Sequence, residues 1–397
     1  MNSSGVSQPG VTYLAIMALL TSIGALATDI MLPALGVIGR DLSVGNVNHT
    51  TLVVTAFFLG MAIGQLVVGP LADAYGRKPV VIWGYALFII GCALSMFADS
   101  WPLMVAARVF QGLAASAPRV IAVAIVRDEY KGRMMARIMS IIMAVFILAP
   151  ILAPLMGQGL IYIGGWRATF AGLVLVAVPS MLWFRRAIPE TLPPASRRAF
   201  TPAIIIDGIN QVCASRVSVV YMLVMGLVGG PFIGYLGTAR QIYQDIYGVG
   251  DMFVIYFSAG SVFAGIASLL NARLVLRLGM RLLTGTAISA LTLMSAVLWG
   301  WMALGGHIDF WLFMIWQLAF IFCIGMIFGN LNSLAMEPLG HVAGLAAALF
   351  GAGSTFISLP LSWMVSGNFG DTVAPLLIGF AVTGALSLLL MLVAGRR

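Results

Sequence analysis

Apolar residues in this chain come in long blocks, without the strict alternation that marks a half-buried strand. Reading in windows of about 19 residues marks blocks near 13–35, 50–71, 79–97, 101–126, 134–160, 166–184, 217–239, 252–271, 282–303, 310–336, 341–366 and 372–394. Each is long enough for a bilayer-crossing helix, which takes about 20 residues. The last block holds nothing more polar than Thr383 and Ser387, whereas strands of membrane barrels alternate apolar and polar positions over about 10 residues. The pattern predicts an all-α polytopic membrane protein with twelve transmembrane helices.

Composition points the same way. Of 397 residues, 61% are hydrophobic and 9% charged, against about 25% charged in soluble domains. Twelve crossings leave no room for a sizeable soluble catalytic domain. Cys92, Cys213 and Cys323 have neither metal-ligand spacing nor an even count for disulfides, so they read as packing residues. The first ten residues lack Lys and Arg, and the first apolar block is too long for a signal-peptide core, so no leader is expected to be removed.

The net charge of +8 could suit nucleic acid, but its placement points to a membrane surface. Alternate loops hold Arg77 and Lys78; Arg127, Lys131, Arg133 and Arg137; Arg185, Arg186, Arg197, Arg198 and Arg216; Arg273, Arg277 and Arg281; and Arg396 and Arg397. The opposite loops hold only Arg40, Arg167 and Arg240. This bias places both termini in the cytoplasm, and no nucleic-acid partner is expected. The longest connection, 185–216, carries four prolines and two Arg pairs. It divides the chain into a first half (1–184), a cytoplasmic linker (185–216) and a second half (217–397), the layout of repeat-built secondary transporters with a substrate site between the halves. An echo between the halves supports a repeat: Gly76 is followed by Arg77 and Lys78, and Gly279 by Met280 and Arg281.

The turn Gly69-Pro70-Leu71-Ala72-Asp73-Ala74-Tyr75-Gly76-Arg77-Lys78 concentrates glycines, an acid and two cations. Glycine permits a tight turn and close helix approach, and Asp73 can accept from N–H groups at a helix N-terminus. That chemistry suits a conformational latch made by Gly69, Asp73, Gly76, Arg77 and Lys78. A positive-inside anchor would explain only the two cations.

This turn resembles the signature of the major facilitator superfamily between its second and third helices. Leu103-Met104-Val105-Ala106-Ala107-Arg108-Val109-Phe110-Gln111-Gly112 is similar to the superfamily's fourth-helix motif. Ala149-Pro150-Ile151-Leu152-Ala153-Pro154-Leu155-Met156-Gly157-Gln158 is similar to the antiporter motif of drug exporters, with Ala149, Ala153 and Gln158 replacing glycines. Together with Asp29-Ile30-Met31-Leu32-Pro33, Ile188-Pro189-Glu190-Thr191 and Asn271-Ala272-Arg273, the pattern resembles the bicyclomycin/chloramphenicol-resistance branch of the drug:proton antiporters. The resemblance spans nearly the whole chain and implies the major facilitator fold, a bacterial inner-membrane location and export coupled to protons.

Charge inside a membrane costs about 2.5–3.5 kcal/mol at the bilayer centre by insertion scales. Three residues qualify: Asp29, Arg108 and Arg119. Asp29 and Arg108 lie at similar depth, about 9–10 Å from the same end of oppositely directed helices, so an interaction between them, direct or through water, is possible. A static ion pair is one reading and proton coupling the other; the resemblance favours coupling. Arg119 follows Arg108 by nearly three turns on almost the same face. It either lines the inner cavity or snorkels to the interface.

Gln317 stands as far into the tenth block as Arg108 does into the fourth. Gln317, Gln111, Arg119, Gln158 and Tyr235 are the candidates for a substrate cavity, although polar residues also hold membrane helices together. Pro150, Pro154 and Gly157 mark the helix best suited to close packing while the halves tilt. His49, His307 and His341 lack ligand partners at metal spacing, and no nucleotide-binding loop or nucleophile–base set is found. No metal, cofactor or enzymatic activity is expected. The expected function is proton-coupled antiport of amphipathic small molecules by a monomer in contact with lipid. The alternatives are export of one endogenous metabolite and, in another class, a non-transporting receptor or scaffold.

Overall fold

The computed structural model describes residues 10–130, 132–197 and 201–394; Lys131, Arg198, Arg396 and Arg397 of the charge pattern lie outside them. The described chain is helical, with no strand among the described residues. The first crossing is α1 (Val11–Asp29), a 3-10 turn at Leu32–Ala34, and α2 (Leu35–Asp41). Pro33 has no N–H to bond the carbonyl four residues back, which is that of Asp29. The helix therefore breaks at its buried acid.

Next come α3 (Leu52–Tyr75), α4 (Arg77–Met96), α5 (Trp101–Glu129) and α6 (Gly132–Ala187). The 56 residues of α6 would reach about 84 Å at 1.5 Å per residue, over twice the thickness of a bilayer core. Gly164 and Gly165 interrupt it; Gly165 has φ +67° and ψ −170°, a backbone region that glycine alone adopts readily. Two crossings result, which with the remaining spans makes twelve. After the amphipathic linker helix α7 (Pro202–Ala214) follow α8 (Arg216–Arg240), α9 (Phe253–Leu278), α10 (Met280–Ala303), α11 (Phe310–Met336), α12 (Ala343–Gly367) and α13 (Ala374–Ala394). Val212 of α7 packs with Leu66 of α3 and Ala346 and Leu349 of α12, so the linker touches both sets of spans.

The repeat is visible in packing. In the first six spans, α6 approaches α1 at Gly157, and α3 approaches α5 at Gly60 and Gly112. In the last six, α12 approaches α8 at Gly226 and Gly230, and α9 meets α11 at Gly260 and Gly325. Small residues let membrane helices come close. Large apolar side chains such as Leu269, Leu293 and Leu392 face outward and are exposed, as suits a membrane-spanning bundle.

One end of the bundle carries the arginine-rich loops and the other the arginine-poor loops. The hydrogen bonds that join the two sets of spans lie in the arginine-poor half. Asn48 Nδ2 donates to Phe369 O at 2.7 Å and Gly367 O at 3.3 Å. Thr51 donates to Ser366 at 3.2 Å, Gln241 Nε2 to Asn48 Oδ1 at 3.0 Å, and Ser258 to Ile151 O at 3.1 Å. Among the described residues, no hydrogen bond or ion pair joins them at the arginine-rich end.

Candidate functional site

Arg108 is fully buried in α5, and its guanidinium spreads over three helices. Nε donates to Val53 O of α3 at 2.9 Å, Nη2 to Ala27 O of α1 at 3.2 Å, and Nη1 to Gln111 Oε1 on its own helix. The Phe57 ring lies 4.5 Å from the cation, within cation–π range. Ala27 O is free for this because the helix breaks: Met31 N, its regular partner, turns to Thr28 O instead. The direct ion pair between Asp29 and Arg108 that matched depths allow is not formed, since the donors are taken by carbonyl oxygens that the broken α1, α3 and Gln111 present.

Asp29 is 6% exposed and makes no hydrogen bond or ion pair among the described residues. Holding an unpaired carboxylate in such a place is costly. The wall beside it is tight: a Cβ on Gly157 would stand 2.2 Å from Ile30 O. Pro154 is buried and Pro150 half-buried along the same stretch of α6. Gly157 is where the first part of α6 lies against the break in α1.

The five cavity candidates separate. Gln111 is buried between α5 and α4, accepting from Arg108 and donating to Cys92 Sγ at 2.9 Å, so it orients Arg108 and has no free face for a ligand. Arg119 is exposed although it shares the stripe of buried Arg108. Its exposure separates it from the buried network around Arg108. Gln158 sits near the opposite end and donates to Asp251 at 3.5 Å, beside a 2.5 Å bond from the Tyr162 hydroxyl to the same carboxylate; it belongs to the contact between the spans there. Tyr235 and Gln317 are both fully buried. Gln317 Nε2 donates to the Tyr235 hydroxyl at 3.1 Å, and Tyr235 packs on Phe257 and Phe320. Gln317 Oε1 is buried without a partner.

At the arginine-rich end, Arg77 is 6% exposed and pairs with Asp73 at 2.6 Å and Asp128 at 3.2 Å. The N-terminus of α4 is capped by Glu190, not by Asp73: the Glu190 carboxylate accepts from Arg77 N at 3.0 Å and Lys78 N at 3.1 Å. Gly76 has φ +103°, which only glycine takes without strain. Gly69 meets open space where a Cβ would stand, so close helix approach is not its reason. These contacts join α3, α4, α5 and the start of the linker, and none reaches the last six spans.

Sequence reasoning missed Glu190 as the cap, although Ile188-Pro189-Glu190-Thr191 was in view. It also missed Asn48, Gln241 and Asp251, which sit in loops and helix ends where a single sequence gives no signal of tertiary pairing.

The sequence profile described as Major Facilitator Superfamily matches residues 17–342. The chain is 31% identical over 364 residues to an uncharacterized MFS-type transporter, YdgK, of Bacillus subtilis, covering 88% of this chain and 87% of that one. It is 28% identical over 391 residues to a bicyclomycin resistance protein homolog of Haemophilus influenzae, covering 97% and 96%. Its fold superposes on the xylose transporter XylE from E. coli with a TM-score of 0.76 at 13% identity, covering 96% of each chain.

Proposed function

The chain belongs to the major facilitator superfamily as a multi-pass membrane transporter, and from that premise we propose that it exports amphipathic small molecules in exchange for protons. The observation that carries this reading is Asp29: a buried carboxyl at the break in α1 with no hydrogen bond or ion pair among the described residues, while Arg108, which bonds the carbonyl of Ala27 two residues before it, is committed to carbonyl oxygens. An acid held in this way can take and release a proton without first breaking an ion pair. Similarity to a bicyclomycin resistance protein homolog supports a drug-like substrate class.

The positive-inside bias assigns the arginine-rich end and both termini to the cytoplasm of a bacterial inner membrane. The joined arginine-poor end is then the outer one, and the arrangement is closed to the outside. Substrate enters from the cytoplasm past Arg119, and Asp29 gives up its proton to that side. Rocking of the halves opens the outer end, where substrate leaves and Asp29 is reprotonated. Arg108 fixes the geometry around the break, and Asp73, Arg77 and the Glu190-capped α4 form the cytoplasmic latch, which engages the second half only when that end closes.

The test is proton flux in liposomes carrying the purified protein under an imposed pH gradient, on adding amphipathic drugs. Drug-dependent flux lost in Asp29→Asn supports antiport through Asp29. Flux unchanged in that variant removes the proton site, and no flux with any compound removes drug antiport.

A further inference from the structure

Away from the Asp29 region, the arginine-poor end holds a second concavity. A pocket of about 430 Å³ lies where the loop after α2 meets the end of α8 and the loop between α12 and α13, lined by Val47, Asn48, Gln241, Asp245, Phe369 and Asp371 among others. This volume is in the range of small-molecule sites. The lining comes from both sets of spans, so the pocket exists only while this end is joined.

Its polar groups are oxygen acceptors with spare capacity. Gln241 is 8% exposed; its Nε2 is spent on Asn48 Oδ1, and its Oε1 is buried without a partner. Asp371 is exposed and makes no hydrogen bond or ion pair among the described residues. Asp245 is joined by Arg240 at 3.6 Å, but no basic residue lines the pocket itself. Gln241 and Asp245 fall in a π-helical turn at the end of α8, a form that clusters at functional sites. Val47, Ile246 and Phe369 give the remaining wall an apolar character. Among the described residues no set of three or more acidic, His or Cys side chains could hold a metal ion. Acceptors for a positive charge beside an apolar wall suit an organic cation better than a bare ion.

We propose that this pocket binds a small organic ammonium ion carrying an apolar group, between the acids of the second half and Val47 and Asn48 of the first, and thereby holds the arginine-poor end shut. A ligand that binds only the joined arrangement stabilises it by its differential affinity. The site is separate from the Asp29 region, and its binding can be read without transport.

The test is the melting temperature of the purified full-length protein titrated with phenethylammonium chloride, with 2-phenylethanol, sodium chloride and calcium chloride as comparisons. The expected result is a saturable rise in Tm with the ammonium and none with the alcohol or sodium. Loss of one charge-assisted contact predicts half-saturation at least about tenfold weaker in Asp371→Asn, a substitution at an exposed position that leaves the fold untouched. Val47→Trp, which fills the pocket from the first half, should abolish the rise, and Asp29→Asn should keep it. The proposal is overturned by an equal rise with the alcohol, by the same saturable rise with calcium, by no saturable rise with the ammonium, or by a rise that Asp29→Asn removes and Asp371→Asn does not.

Discussion

Arg108 reaches the carbonyl oxygen of Ala27 at 3.2 Å, two residues short of Asp29, and leaves the carboxylate alone. The break after Asp29 underlies the first fact, because Met31 N turns to Thr28 O and leaves Ala27 O to the guanidinium, and it ends the helix at the acid. A buried Arg with no counter-ion among the described residues is tolerated here because acceptors and an aromatic face surround it. The geometry therefore has Arg108 hold α1, α3 and α5 together and leaves Asp29 outside that network.

Removing the fork should be felt as lost stability. Arg108→Gln leaves Ala27 O, whose helical partner Met31 N has turned away, without a donor and takes the second donor from Val53 O, and a buried unsatisfied group costs about 1–3 kcal/mol. Arg108→Lys keeps the charge but has no planar fork to serve both carbonyls at once. Melting temperatures should fall in the order wild type, Lys, Gln. A Lys variant as stable as the wild type would contradict the bridging role.

Two glycines of the sequence motifs should behave oppositely. Gly157→Ala places a Cβ 2.2 Å from Ile30 O, backbone that cannot turn aside, so α6 and α1 must separate; overpacking of this kind costs about 1–3 kcal/mol. Gly69→Ala meets open space in a helix interior, where alanine is the better helix former by up to about 1 kcal/mol. Thermal unfolding of the two variants should show a clear loss for the first and no loss for the second.

At the α4 N-terminus the cap is expected to outweigh the surface acid. Glu190→Ala removes the acceptor for Arg77 N and Lys78 N, and losing a helix cap costs about 0.5–2 kcal/mol. Asp73→Asn keeps a polar partner for Arg77, which also has Asp128. Denaturation should therefore be shifted more by Glu190→Ala than by Asp73→Asn; the reverse order would return the capping role to Asp73.

The sequence carried the class and the span count because bilayer crossing imposes long apolar blocks that nothing else requires. It carried the charged candidates for a related reason: Asp29, Arg108 and Arg119 are conspicuous where charge is expensive. What it did not carry was which atoms meet. The pairing of Arg108 with Ala27 O depends on Met31 N turning away to Thr28 O where α1 breaks, and Gln111 was indistinguishable from a ligand-binding amide until its neighbours were known. Gln158 likewise reads as part of a motif, yet its position shortly before the glycine break in α6, at the arginine-poor end, sets it against Asp251 of a loop far along the chain.

The contacts that join the two halves at the arginine-poor end should not contribute equally to keeping it closed. Asn48 is buried, and its amide donates to Phe369 O and Gly367 O while its oxygen accepts from Gln241. Asn48→Ala leaves those partners unsatisfied, at about 1–3 kcal/mol each, and one such group is worth about tenfold in a two-state population near 1.4 kcal/mol. Tyr162 donates to Asp251 on the exposed rim, where water replaces the lost bond. Tyr162→Phe should therefore shift the closed population only slightly. Spin labels at the exposed positions Gly45 and Thr372, in a background with exposed Cys213 replaced, read the separation directly. Asn48→Ala should enlarge the long-distance population by about tenfold or more and Tyr162→Phe by much less. A larger effect from Tyr162→Phe would mean that the rim bond, and not the buried amide, holds this end of the bundle shut.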